Sequence, residues 1–219
     1  MKQTLYLSTA YLDDLMVRMA HHSTAIEGNS LTQGETKSVL IDGYVPRAID
    51  LRELNEVLNY KAFTKEMVRF LQEEREVNGE FIKEIHSILC REAIESVPGK
   101  FKTQPNMVIG ADFTPSPPYR VPMDIEQWRQ DLDYQLKNAA DARTMVEAIC
   151  RQHFRFERIH PFPDGNGRVG RALMVYSALQ QKLPPIVIPV DEKKKYINFL
   201  NIEDLNGFVE FCLALQQKE

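Results

Sequence analysis

Apolar residues recur at intervals of three and four along nearly the whole chain, and one proline-rich stretch, residues 97–122, breaks that rhythm. Such spacing lines hydrophobic side chains along one stripe of an α-helix, so it predicts a mainly α fold. Leu12, Leu15, Met16 and Met19 make the first stripe, which stops at Gly28-Asn29, a pair suited to a helix C-terminus. Thr32 to Glu35 has the pattern of a capping box and opens a short helix ending near Gly43. Asp50 opens a long helix with Leu54, Leu58, Phe63, Met67, Phe70 and Leu71 expected inward. Another starts near Glu80 and buries Phe81, Ile85, Ile88 and Leu89. Beyond the break, helices are expected around 124–128, 141–159, 169–181, 192–200 and 207–216, with an extended connector at 184–189.

Inside the break, Met107, Val108, Ile109 and Gly110 read as β-like. Prolines on both sides favour a short edge β-hairpin, or flap, over a central strand. The 219 residues suit a single domain, and a composition of 43% hydrophobic and 26% charged residues can build a proper core. A net charge of −4 argues against a general attraction to nucleic acid or anionic lipid. No segment approaches the ~18 uninterrupted apolar residues of a membrane span, and the first residues lack a signal-peptide pattern. Cys90, Cys150 and Cys212 are odd in number and set among apolar neighbours. They are expected as reduced core residues of a cytoplasmic protein.

The densest polar stretch is HPFPDGNGRVGR, residues 160–171. Pro161 and Pro163 end one helix, and the next begins just after Gly165, Asn166 and Gly167. Glycines there turn backbone N–H groups outward at the positive end of a helix dipole, which makes an anion site. Arg168 and Arg171 share a face of the first turn, and two guanidiniums suit a di- or triphosphate better than a lone carboxylate. Asp164 beside such a site is a natural Mg²⁺ ligand. His160 can act as a base near neutral pH. A surface turn with solvated arginines would explain any one of these residues, but not all of them within twelve positions. The chain has no G-x-x-x-x-G-K-[ST] segment, so the phosphate site is not a P-loop.

Residues 160–171 resemble the Fic-family signature at every position, and the resemblance extends roughly from Tyr11 to the end of the chain. It implies a Fic-like helical domain over 1–219, with an inhibitory helix at 8–28, a flap region at 98–122 and a catalytic loop and helix start at 160–171. It also implies transfer of AMP from ATP to a Ser, Thr or Tyr hydroxyl of a target protein, self-modification included. By the same resemblance His160 would be the base on that hydroxyl, and Asp164 would hold Mg²⁺ between the α- and β-phosphates. Gly165, Asn166 and Gly167 would cradle the phosphates, with Arg168 on the β- and Arg171 on the γ-phosphate. Phe162 would anchor the loop, Tyr196 would lie near the adenine, and a target would dock along about residues 104–114. Lys102 stands where many relatives have arginine, and Pro105-Asn106 are additional to the flap. A homodimer is expected on the same ground alone.

Ser23 and Glu27 lie one turn apart in STAIEG, residues 23–28. A glutamate at the last helical position opposes the helix dipole by about 0.3–1 kcal/mol, and on composition alone it reads as solvated. The stretch resembles the family's inhibitory pattern, which implies that Glu27 pairs with Arg171 and occupies the place of the γ-phosphate. Removal of AMP, transfer of another nucleotide or phosphoryl group, and a non-catalytic nucleotide-sensing role stay open as alternatives. His86 and His153 are expected as core or supporting residues, and His21 and His22 as solvent-exposed.

Overall fold

The computed structural model describes residues 8–108 and 112–219. Among them nine α-helices run in the order α1 Thr9–Ile26, α2 Gln33–Lys37, α3 Leu51–Gln72, α4 Gly79–Leu89, α5 Val121–Lys137, α6 Ala142–Ile159, α7 Asn166–Gln180, α8 Lys193–Ile202 and α9 Leu205–Gln216. Their starts follow the capping chemistry. Ser8, Asp50, Asn78 and Asp141 each accept a hydrogen bond from a first-turn N–H, and Thr32 and Glu35 complete the expected capping box. α1 ends on Gly28 with φ 103°, and a π-turn over Ser38–Asp42 runs into Gly43 with φ 76°.

Helix α7 is the axis of the molecule. All but its second and last residues are buried, which is why its apolar residues encircle it rather than forming one stripe. On one side α1, α3, α4 and α5 pack around Phe63, Met67, Phe81, Ile85, Trp128 and Tyr176. On the other, α6, α8 and α9 enclose Ile149, Met174, Tyr196 and Phe208. The three cysteines are free and buried, as their apolar settings predict. Leu58 departs from expectation: it is 40% exposed, and Val57 and Tyr60 take its place inside. No helix among the described residues is long and apolar enough to cross a membrane.

The expected β-hairpin is not formed among the described residues. Met107 and Val108 have no strand partner, and Ile109 and Gly110 lie outside the described residues. The physical reason is that the flap's arms hydrogen-bond elsewhere. Lys102 N–H donates to the Pro161 carbonyl at 2.9 Å, and Ser116 N–H donates to the Arg158 carbonyl at 3.3 Å. Both arms are thus tied to the segment around residue 160 rather than to each other.

Candidate active site

The loop between α6 and α7 is built by its own punctuation. His160 caps α6 in the left-handed region, φ 48° and ψ 60°, and the two prolines forbid a return to helix. Gly165, φ 77°, turns the chain into α7, and a Cβ there would run into the Cys90 sulfur. Asn166 grips the backbone of Phe162 twice: Phe162 N–H donates to Oδ1 and Nδ2 donates to the carbonyl, both at 2.8 Å. His86 stacks on the Phe162 ring at 3.8 Å between centroids. Gly99 N–H donates to His86 Nδ1 at 2.7 Å, so Nε2 carries the proton and donates to the Asp164 carbonyl at 3.0 Å. Burial pushes this imidazole down to about 4, which keeps it neutral and in that tautomer.

His160 is oriented by the same logic. Its Nδ1 lies 3.2 Å from the Glu157 carbonyl, an acceptor that requires Nδ1–H. Nε2 is therefore left with its lone pair, as a base needs. Desolvation, with the nearby Lys102 charge, holds the pKa below the ordinary histidine value.

At the start of α7 the charged side chains converge. Arg171 is buried and donates to Ser23 Oγ at 2.9 Å, to the Ser23 carbonyl at 3.0 Å and to Glu27 Oε1 at 2.6 Å. Glu27 is 40% exposed, yet its carboxylate lies so close to Gly167 that a Cβ there would collide with Oε1. It thus sits over the amide end of α7. Burial would raise the Glu27 pKa, but the Arg171 charge and hydrogen bond outweigh it and hold the carboxyl below its usual range. Buried Arg168 lies 3.6 Å from both Glu56 and Asp164, and its Nε and Nη1 have no hydrogen-bond partner among the described residues. A buried guanidinium with unmet donors is costly unless an anion completes it.

Asp164 is 64% exposed, and its Oδ1 accepts from Gly165 N–H at 2.5 Å. One exposed carboxylate is compatible with Mg²⁺, which commonly takes one or two carboxylates and fills its other positions with water and phosphate oxygens. Tyr196 adjoins this convergence through the Arg171 side chain, which its hydroxyl meets. It is buried in the second core with its hydroxyl 2.9 Å from His153 Nε2. Near it, burial pushes the Glu157 carboxyl up to about 7. His21 and His22 are half-buried rather than solvated, with His21 Nδ1 3.1 Å from the Leu31 carbonyl. His86 supports the loop from the core, as expected, whereas the sequence did not disclose that Lys102 and Asn106 hold it too. Only the additional Pro105-Asn106 pair hinted at it.

Residues 76–178 match the Fic/DOC family. The protein adenylyltransferase fic-1 of Caenorhabditis briggsae is 31% identical over 200 residues, covering 87% of this chain and 38% of that protein. The protein adenylyltransferase Fic of Drosophila virilis is 28% identical over 202 residues, covering 90% and 40%. The chain therefore spans about two fifths of the length of these curated relatives. Among solved structures, a Fic domain containing signaling protein from Bacteroides thetaiotaomicron superposes with a TM-score of 0.84 at 25% identity, covering 93% of this chain and 83% of that one. Fic-1 from C. elegans gives 0.78 at 27% identity, covering 98% and 64%.

Proposed function

We propose that this chain, which matches the Fic/DOC family over residues 76–178, is a Fic-domain protein that transfers AMP from ATP to a hydroxyl of a target protein and is restrained by Glu27. The observation that carries the reading is the convergence at the start of α7. Arg168 and Arg171 are buried at the start of α7, Arg168 lies 3.6 Å from the exposed Asp164 carboxylate, and the His160 Nδ1 contact with the Glu157 carbonyl supports a free Nε2. In the reaction the target hydroxyl gives its proton to His160 Nε2 while its oxygen attacks the α-phosphorus. The bond from that phosphorus to the bridging oxygen breaks, and pyrophosphate leaves. Arg168 and the amides of Gly165, Asn166 and Gly167 stabilise the phosphate charge, and Arg171 takes the γ-phosphate once Glu27 moves away. Asp164 would hold Mg²⁺, which when bound neutralises charge on the leaving phosphates. Flap residues 107–110 would align the target's backbone.

The Glu27–Arg171 pair supports autoinhibition because the carboxylate occupies Arg171 Nη2 beside Gly167 and would repel a γ-phosphate brought to the same place. The test is to incubate Glu27→Gly protein with α-labelled and, separately, γ-labelled ATP. Protein-bound label from the α-position alone is expected, and it should vanish in Glu27→Gly/His160→Ala. Label from the γ-position would instead indicate kinase chemistry, and no label from either would leave a nucleotide-sensing module. Removal of AMP is a second reading, since the exposed side of Glu27 can orient a water. It predicts release of AMP by the unaltered protein and not by Glu27→Gly.

A further inference from the structure

Four consecutive carbonyls around the catalytic base accept hydrogen bonds from two residues at the foot of the flap. Lys102 Nζ donates to Ile159 at 3.3 Å, and Lys102 N–H donates to Pro161 at 2.9 Å. Asn106 Nδ2 donates to His160 at 3.3 Å and to Phe162 at 2.8 Å. The two residues are tied to each other by Lys102 Nζ donating to Asn106 Oδ1 at 2.6 Å. This network fixes the Asn106 amide orientation, because a flip would set Oδ1 against two carbonyls and Nδ2 against an ammonium. Lys102 is only 3% exposed, and among the described residues no carboxylate lies within ion-pair distance of it. Its buried charge is instead spent on Asn106 and the Ile159 carbonyl.

We propose that Asn106, anchored by Lys102, is a positioning residue that holds His160 in its left-handed conformation and links the flap to the base. The inference rests on the adenylyl-transfer reading for its kinetic consequence, not for its geometry. A non-glycine residue at φ 48° needs its surroundings to hold it there. The carbonyls of 159 and 160 belong to the peptide planes on either side of His160, and those of 161 and 162 fix the next two. Releasing them lets those planes rotate and displaces the imidazole from the α-phosphorus. Asn106 is also followed directly by Met107, which is 87% exposed in the segment offered to the target. A peptide seated on the flap therefore acts one residue away from the clamp on the base.

The test uses the full chain carrying Glu27→Gly, with Asn106→Ala, Lys102→Met or Lys102→Arg added. Steady-state AMP transfer gives kcat and KM for ATP, and NMR follows the His160 backbone and imidazole resonances at fixed pH. Asn106→Ala should lower kcat on the order of 10- to 100-fold, as a displacement near one ångström does, with KM for ATP changed by less than about threefold. The His160 resonances should move or broaden in the same variant. Lys102→Met should behave likewise, and Lys102→Arg, which keeps charge and donors, should recover most of the loss. Unmoved His160 resonances with kcat kept within about twofold would overturn the proposal. A loss of activity that follows lowered thermal stability alone, with His160 unmoved, would also overturn it. Absence of AMP transfer in the Glu27→Gly parent would refute the adenylyl-transfer reading instead, and the NMR comparison would still decide whether Asn106 positions His160.

Discussion

Replacing Glu27 with glycine should change nucleotide affinity in a way that identifies which phosphate Arg171 is meant to hold. In the resting state the guanidinium is committed to Glu27 Oε1 at 2.6 Å and to two oxygens of Ser23. Because the carboxylate is 40% exposed, solvent screens the ion pair, and its own contribution stays within about 1 kcal/mol. On the proposed function, what ATP would lose to it is the contact with Arg171, a charge-assisted hydrogen bond of about 1.5–3 kcal/mol. The variant should therefore bind ATP roughly 10- to 150-fold more tightly. ADP, which has no γ-phosphate, should gain less, and AMP less again. Isothermal titration calorimetry with Mg²⁺ present, in a His160→Ala background to stop turnover, measures this directly. Glu27→Gln, which keeps the shape and removes the charge, should fall between the two. Equal ATP affinity with and without Glu27 would refute the reasoning. So would an equal gain for ADP and ATP, since the carboxylate would then act as a diffuse charge and not through Arg171.

The pH profile of transfer by Glu27→Gly should hold its rate down through pH 6.5 and decline only below it, because burial lowers the His160 pKa; an acid limb above neutrality would contradict the assignment of the base. Gly165→Ala should cost about 2–4 kcal/mol, from left-handed strain and from crowding the Cys90 sulfur, and lower Tm by roughly 5–15 °C. Gly34→Ala, with nothing within 4 Å of the added carbon, is the control, and equal Tm values for the two would be the wrong result. Stability to urea should fall as pH drops below about 6.5, since burial lowers His22 and His86 to about 4 and His153 to about 3, so the unfolded chain binds protons first. The raised Glu157 carboxyl offsets one of these histidines, and a flat stability between pH 6.5 and 4.5 would show that they are not buried as neutral groups.

What was legible in the sequence was local. Thr32, Asp50 and Gly28 mark helix ends because capping depends on side chains two or three residues away. Residues 160–171 disclose a loop and the start of the next helix for the same reason. Leu58 was misplaced because a strict i, i+4 series drifts around the helix, and the buried side of α3 runs through Val57, Tyr60, Phe63, Met67 and Phe70 instead. The hairpin is not formed among the described residues, and the sequence does not disclose this because an apolar extended segment looks the same whether its amides meet a second strand or another loop. Asn106 and Lys102 meet carbonyls 54 to 59 residues away, and no periodicity reports a contact of that range. Tyr196 followed from resemblance alone, and its burial against His153 was not visible in its spacing.

The most direct measurement is a crystal structure of Glu27→Gly protein with Mg²⁺ and a non-hydrolysable ATP analogue. The account predicts phosphates seated on the amides of residues 165–167, Arg168 and Arg171 on the β- and γ-phosphates, the metal on Asp164, and His160 Nε2 facing the α-phosphorus. A nucleotide bound elsewhere, or an α-phosphorus out of reach of His160, would contradict it.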